Sequence, residues 1–146
     1  MATDGNEAEE HAPDLLRAAQ AEHSAGRIDA ALGLARRAID IDLGFADAWV
    51  YLGTTLITRK LSFFEGLAAL DEALALAPTD AGVNYSAGWC YEFVAHRLAR
   101  QPAAGLDARE LFERAAGYLR RCIELEPEPG LKEDAEDLLE AIENRR

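Results

Sequence analysis

The stretch 46–78 of this chain repeats what precedes and follows it. It opens on Ala46, Asp47, Ala48, Trp49, Val50, Tyr51, Leu52 and Gly53, and closes on Ala73, Leu74, Ala75, Leu76, Ala77 and Pro78. Upstream, Gly26, Arg27, Ile28, Asp29, Ala30 and Ala31 lead into Ala38, Ile39, Asp40, Ile41 and Asp42. Downstream, Ala115 leads into Cys122, Ile123, Glu124, Leu125, Glu126 and Pro127. Ala38 and Ala73 stand 35 residues apart, Ala73 and Cys122 49. A period of about 34 residues marks an array of stacked helical units, none of which can bury its apolar face alone. Arrays of this kind usually make binding surfaces rather than active sites. The repeat therefore points to a class of function before any single residue does.

Apolar spacing and cap signals predict seven helices and no sheet. Pro13 suits the first turn of a helix running to about Ser24, with Leu15, Leu16, Ala18 and Ala19 on its apolar side. The second spans about 28–42, with Ala31, Leu34, Ala35, Ala38 and Ile39 at helical spacing. The third spans about 46–59. Ser62, with Glu65 three residues on, reads as a capping box for the fourth, which ends near Ala77. Thr79 and Asp80 cap the fifth, which meets no breaker until Gln101 and Pro102 and so outruns its counterparts. Asp107, with Glu110, caps the sixth. The run Pro127, Glu128, Pro129, Gly130 reads as a hard stop. The last helix, about 131–144, sets Ala135, Leu138, Leu139 and Ile142 on one face, as a cover for the open end of a stack.

A chain of 146 residues is one domain's worth and can bury a core without disulfides or metal. Residues 1–11 carry four acids and almost no large apolar side chain, so they are expected to be disordered rather than a secretory signal. No apolar run is long enough to span a bilayer. Cys90 and Cys122 lack metal-ligand spacing and read as small buried hydrophobes in a reducing cytosol. The expected location is cytoplasmic. A net charge of -12 argues against nucleic acid and anionic membranes and fits a basic partner.

The repeats resemble tetratricopeptide repeats, from about residue 12 to 127, followed by a capping helix. Trp49, Leu52, Gly53, Ala73 and Pro78 match the family pattern in the second repeat. Leu15, Ala18, Ala19, Ala31 and Ala38 match it in the first, where Leu43 replaces the proline. Gly88, Tyr91, Ala115, Leu119 and Pro127 match it in the third, with Cys122 in place of alanine. Two departures stand out. Gly66 occupies a position where the family has alanine, next to one extra residue near 59–61. The third repeat carries an insertion of about fifteen residues near 95–110. The resemblance implies an all-α, right-handed superhelix of antiparallel helix pairs. Its units would be residues 12–45, 46–79 and 80–127, with 128–146 as the cap.

In such arrays the first helix of each repeat lines a concave groove. The resemblance places Leu16, Gln20 and His23 there from the first repeat. It adds Asp47, Val50, Thr54 and Ile57 from the second, and Tyr85, Trp89, Glu92 and His96 from the third. Tyr85 and Trp89 are the strongest candidates, because aromatic side chains bring large apolar area at low entropic cost. Two placements remain open to them: the groove, or packing under the loop 101–107 or against the sixth helix. The family's best known binding mode grips a carboxylate with Lys, Asn and Arg. At the matching positions stand Leu16, Gln20, Tyr51, Gly82 and Ser86, none basic. That mode is not expected here.

Catalytic constellations are missing from the sequence. Ser24, Ser62 and Ser86 lie in no nucleophile elbow, and no glycine-rich phosphate loop occurs. Paired acids such as Glu9 with Glu10 and Glu133 with Asp134 read as solvated. Glu92 and His96 could offer two metal ligands, one short of a site; His11 and His23 are isolated. The expectation is a protein-interaction adaptor, not an enzyme, without cofactor or metal. It would bind a peptide or helix of a partner protein. The alternative is a small secretion or assembly chaperone, since its size and charge resemble those of type III secretion chaperones. The same groove could also seat a neighbouring copy.

Overall fold

Alanine and leucine at three- and four-residue spacing, with proline confined to helix ends, favour helix almost everywhere. The computed structural model describes residues 10–145, so most of the expected disordered segment 1–11 lies outside the described residues. Seven helices fill the rest: α1 (Ala12–Ser24), α2 (Ile28–Ile41), α3 (Ala46–Lys60), α4 (Phe63–Leu76), α5 (Ala81–Arg100), α6 (Ala108–Glu124) and α7 (Pro129–Glu143). There is no strand among the described residues. The helices pack as pairs, α1 with α2, α3 with α4 and α5 with α6, and α7 lies against α6. The odd-numbered helices also touch across pairs, α3 against α5 and α5 against α7. This makes one layer of α1, α3, α5 and α7 backed by a layer of α2, α4 and α6.

The helix ends follow local chemistry. Asp80 and Asp107 cap α5 and α6, accepting hydrogen bonds from the amides of Val83 at 3.1 Å and Arg109 at 3.0 Å. Ser62 does not cap α4 with its side chain, contrary to the capping-box reading. Glu65 instead reaches Arg36 of α2 at 2.8 Å, tying two repeats together. Pro129 and Gly130 stop nothing: they form the first turn of α7, where proline's missing N–H is no loss.

The extra residue near 59–61 is accommodated by Leu61. It takes the left-handed conformation (φ 55°), and the Leu61 and Ser62 amides both bond to the Leu56 carbonyl. The first and third pairs use glycine at their positive-φ positions, Gly26 and Gly105. Gly66 is explained by its neighbour across α3. A Cβ there would collide with Ile57, whose side chain occupies the space that alanine would fill.

One continuous core runs from Ile57, Leu67 and Leu70 through Cys90, Tyr91, Val94 and Leu98 to Leu119, Cys122 and Ile142. A second cluster of Leu15, Leu32, Ile39, Leu52 and Leu56 joins the first helix pair to α3, and a third, of Ala19, Ala31 and Ala35, lies within the first pair. Ala18, expected on the apolar side of α1, is exposed. In α7, Ala135 and Ile142 are buried, whereas Leu138 and Leu139 are only half-buried. Behind the core, the Tyr91 hydroxyl donates to Asp71 at 2.6 Å, and Arg114 lies 4.4 Å over the Tyr91 ring. This joins α4, α5 and α6. The inserted loop closes on Phe64, since a Cβ on Gly105 would come within 2.9 Å of that ring.

Candidate functional site

The layer of odd-numbered helices presents α5 between α3 and α7. Along α5, Tyr85, Trp89, Phe93 and Arg97 follow one another at four-residue intervals, which keeps them near one face. Trp89 and Phe93 stack with centroids 5.5 Å apart, and the Arg97 guanidinium lies 5.6 Å from the Phe93 centroid. Tyr85 and Trp89 are half-buried and front two clefts at once. Towards α3 they share a cleft of about 260 Å³ with Thr54, Ser86 and Cys90. Towards α7 they share one of about 310 Å³ with Asp134, Asp137, Leu138 and Ala141. No residue of the loop 101–107 lines either cleft, and Trp89 also packs against the main core cluster.

The chemistry of this surface is apolar, with carboxylates on one rim. Burial, and after it the Asp134 carboxylate, pushes the Tyr85 phenol above its ordinary range, so it stays a neutral donor. Thr54 Oγ1 lies 3.6 Å from Cys90 Sγ. Burial pushes that thiol up to about 11, which makes it a packing group and not a nucleophile.

The remaining candidates scatter. Ile57 has no exposed surface and belongs to the core, because Gly66 gives its side chain a place to enter. Leu16, at 8% exposed, is core as well. Gln20 and Asp47 are exposed and Val50 is half-buried. His23 forms a small network of its own: Nδ1 sits 2.8 Å from the Tyr51 hydroxyl, and Arg59 Nη1 sits 3.2 Å from Nε2. Glu92 and His96 pair at 3.3 Å, but the His96 ring turns to Phe112 of α6, 6.4 Å between centroids. No set of three or more potential metal ligands converges among the described residues. Phe93 is the member of the aromatic row that the sequence reading missed, although its spacing from Trp89 announced it.

The architecture can be matched to solved structures. No protein-family model matches the chain, and no curated protein matches it. The first TPR domain of Spaghetti (RPAP3), bound to the HSP90 peptide SRMEEVD, is similar with a TM-score of 0.68 and 18% identity. The match covers 92% of this chain and 91% of that one. The fold is tetratricopeptide. The type III secretion chaperone SycD of Yersinia enterocolitica, in complex with a peptide of the translocator YopD, gives 0.66 and 15%, over 91% of this chain and 92% of its own. The N-terminal domain of stress-induced protein-1 (STI-1) from C. elegans gives 0.56 and 12%, over 87% and 93%. This tetratricopeptide array has no helix, among the described residues, long and apolar enough to cross a membrane.

Proposed function

We propose that the surface between α3, α5 and α7 binds a peptide or helix of a partner protein, and that the chain is an interaction adaptor of the cytoplasm rather than an enzyme. The observation that carries this reading is the position of Trp89, half-buried and facing both clefts. Large aromatic groups in such positions supply most of the energy of many interfaces. Two of the similar structures, the Spaghetti domain and SycD, hold peptides, which supports the same use of this fold. The rim carboxylates Asp134 and Asp137 favour a partner with Lys or Arg beside its apolar anchor. A secretion or assembly chaperone is the second reading, favoured by the likeness to SycD over nearly the whole of both chains.

Selection of peptides from a random library on the immobilised protein tests the proposal. Enriched sequences should combine an aliphatic or aromatic residue with neighbouring basic ones. Trp89→Ala should weaken them by about 2 kcal/mol or more. Peptides that bind wild type and Trp89→Ala equally would place the binding surface elsewhere.

A further inference from the structure

The chain carries -12 net charge, and most of its arginines are paired. Arg17, Arg27, Arg36, Arg37, Arg114, Arg120 and Arg121 each have a carboxylate partner. Arg59 is hydrogen-bonded to His23. The other four of the described arginines, Arg97, Arg100, Arg109 and Arg145, form no ion pair among the described residues. All four belong to one corner of the array: the end of α5, the start of α6 and the end of α7.

The corner is built, not merely charged. Ala108, Arg109, Phe112, Glu113, Ile142 and Arg145 line a cleft of about 490 Å³. Arg145 lies 4.7 Å over the Phe112 ring, and its Nη1 is 3.4 Å from His96 Nδ1. Arg97 lies similarly over Phe93, and with Arg100 and Gln101 it lines a second cleft. A guanidinium laid on an aromatic face keeps its N–H donors around its edge, where a carboxylate can meet them in pairs. The first turn of α6 is already capped by the Asp107 carboxylate, which accepts from the Arg109 amide, so the arginine side chains carry the site. Glu113, in the same cleft, is the opposing charge an occupant must avoid. Phe112 and Ile142 give the cleft an apolar floor.

We propose that this corner docks an acidic segment of a partner protein, with carboxylates meeting Arg109 and Arg145 and an apolar side chain seated on Phe112. Charge complementarity selects that occupant. Four arginines that form no ion pair among the described residues meet at this corner and complement an external carboxylate. A long polyanion such as nucleic acid would also meet the repelling field of the remaining surface. The site adjoins the aromatic row through Arg97, which lies over Phe93, but Arg109, Phe112 and Arg145 line a cleft of their own that Tyr85 and Trp89 do not enter.

The test is titration of isotope-labelled protein with an acetylated, amidated peptide of one phenylalanine followed by four glutamates, followed by amide NMR shifts. Saturable shifts are expected at Arg97, Arg109, Phe112 and Ile142, and they should weaken as salt rises. The double variant Arg109→Gln, Arg145→Gln should lose about tenfold or more in affinity. Arg36→Gln, at a paired arginine on α2, should bind as wild type does. Both substituted residues are exposed, and a helical spectrum identical to wild type checks the fold. Four results would overturn the proposal: no saturable shift up to millimolar peptide, equal shifts from the lysine counterpart, the same shifts from inorganic phosphate alone, or unchanged affinity in the double variant.

Discussion

A Cβ built on Gly53 of α3 would stand 2.7 Å from the carbonyl oxygen of Gly66 in α4, and one on Gly66 would stand 2.9 Å from that of Gly53. The two backbones touch where two side chains would normally separate them. Gly66→Ala would also drive into Ile57, which is fully buried. It should destabilise the fold by about 1–3 kcal/mol. Gly117→Ala, in an exposed helix interior with open space around it, should stabilise by about 0.5–1 kcal/mol. Urea unfolding of both variants checks the contrast, and a neutral Gly66→Ala would mean that the helices can move apart.

Leu61 supplies a second backbone test. A left-handed conformation costs a non-glycine residue about 1–2 kcal/mol, and this side chain is 49% exposed. Leu61→Gly should therefore raise stability by up to about 1 kcal/mol, after the greater entropy of the unfolded glycine is subtracted. A lower urea midpoint would show that Leu61 holds more by packing than it loses by strain.

The cover provided by α7 rests mainly on one side chain. Ile142 is 2% exposed, and Ile142→Ala should cost about 2–5 kcal/mol. Leu139→Ala, half-buried, should cost distinctly less. Removal of residues 131–146 should expose the core side of α6 and cause early melting or aggregation. Equal losses for the two point variants, by thermal melting, would contradict the unequal burial.

Alkaline pH should weaken the fold. Burial, and after it the hydrogen-bonded Asp71 carboxylate, holds the Tyr91 hydroxyl protonated far above its ordinary range, against the opposite pull of Arg114. An unfolded tyrosine releases its proton near pH 10, so above that point the unfolded chain binds fewer protons and stability falls as pH rises. Cys90 adds a loss of the same sign, beginning near its ordinary 9.0 and complete above about 11. Tyr91→Phe should flatten the fall above about pH 10 in urea midpoints. A fall just as steep in that variant would assign the effect elsewhere.

The two tryptophans should separate by stability before any partner is known. Trp49 donates from Nε1 to the Leu43 carbonyl at 3.0 Å and packs on the second core cluster. Trp49 is half-buried, so Trp49→Ala should cost less than the roughly 3–5 kcal/mol of a fully buried tryptophan. Trp89, also half-buried and packed against the main core cluster, makes no such bond among the described residues and fronts two clefts, so Trp89→Ala should cost less still. Equal shifts of the melting temperature would return Trp89 to the core.

The helices were legible because proline, glycine and Asp caps punctuate strong apolar periods, and each boundary fell within about two residues of expectation. Ser62 was misread because the capping-box rule sees only local partners, while Glu65 had a better one in Arg36, twenty-nine positions upstream. Ile57 was misread because its burial depends on the missing Cβ of Gly66, a relation between helices. The aromatic row on α5 was half visible, since Tyr85 and Trp89 share a four-residue spacing that Phe93 continues. The arginine corner was invisible in sequence: residues 97, 100, 109 and 145 come together only when α7 returns to the end of α5.

The uneven division of the core has a dynamic consequence. Ile57 to Ile142 form one continuous body, while a second cluster ties the first helix pair to α3 and α4. In a stack stabilised by nearest neighbours, each terminal unit has support on one side only, so local opening should be easiest at α1 and at α7. The middle of the array is then its anchor, with two fraying edges. A ligand seated on α3 and α5 would meet a surface already ordered. Contacts that reach α7 would first have to still a fluctuating edge.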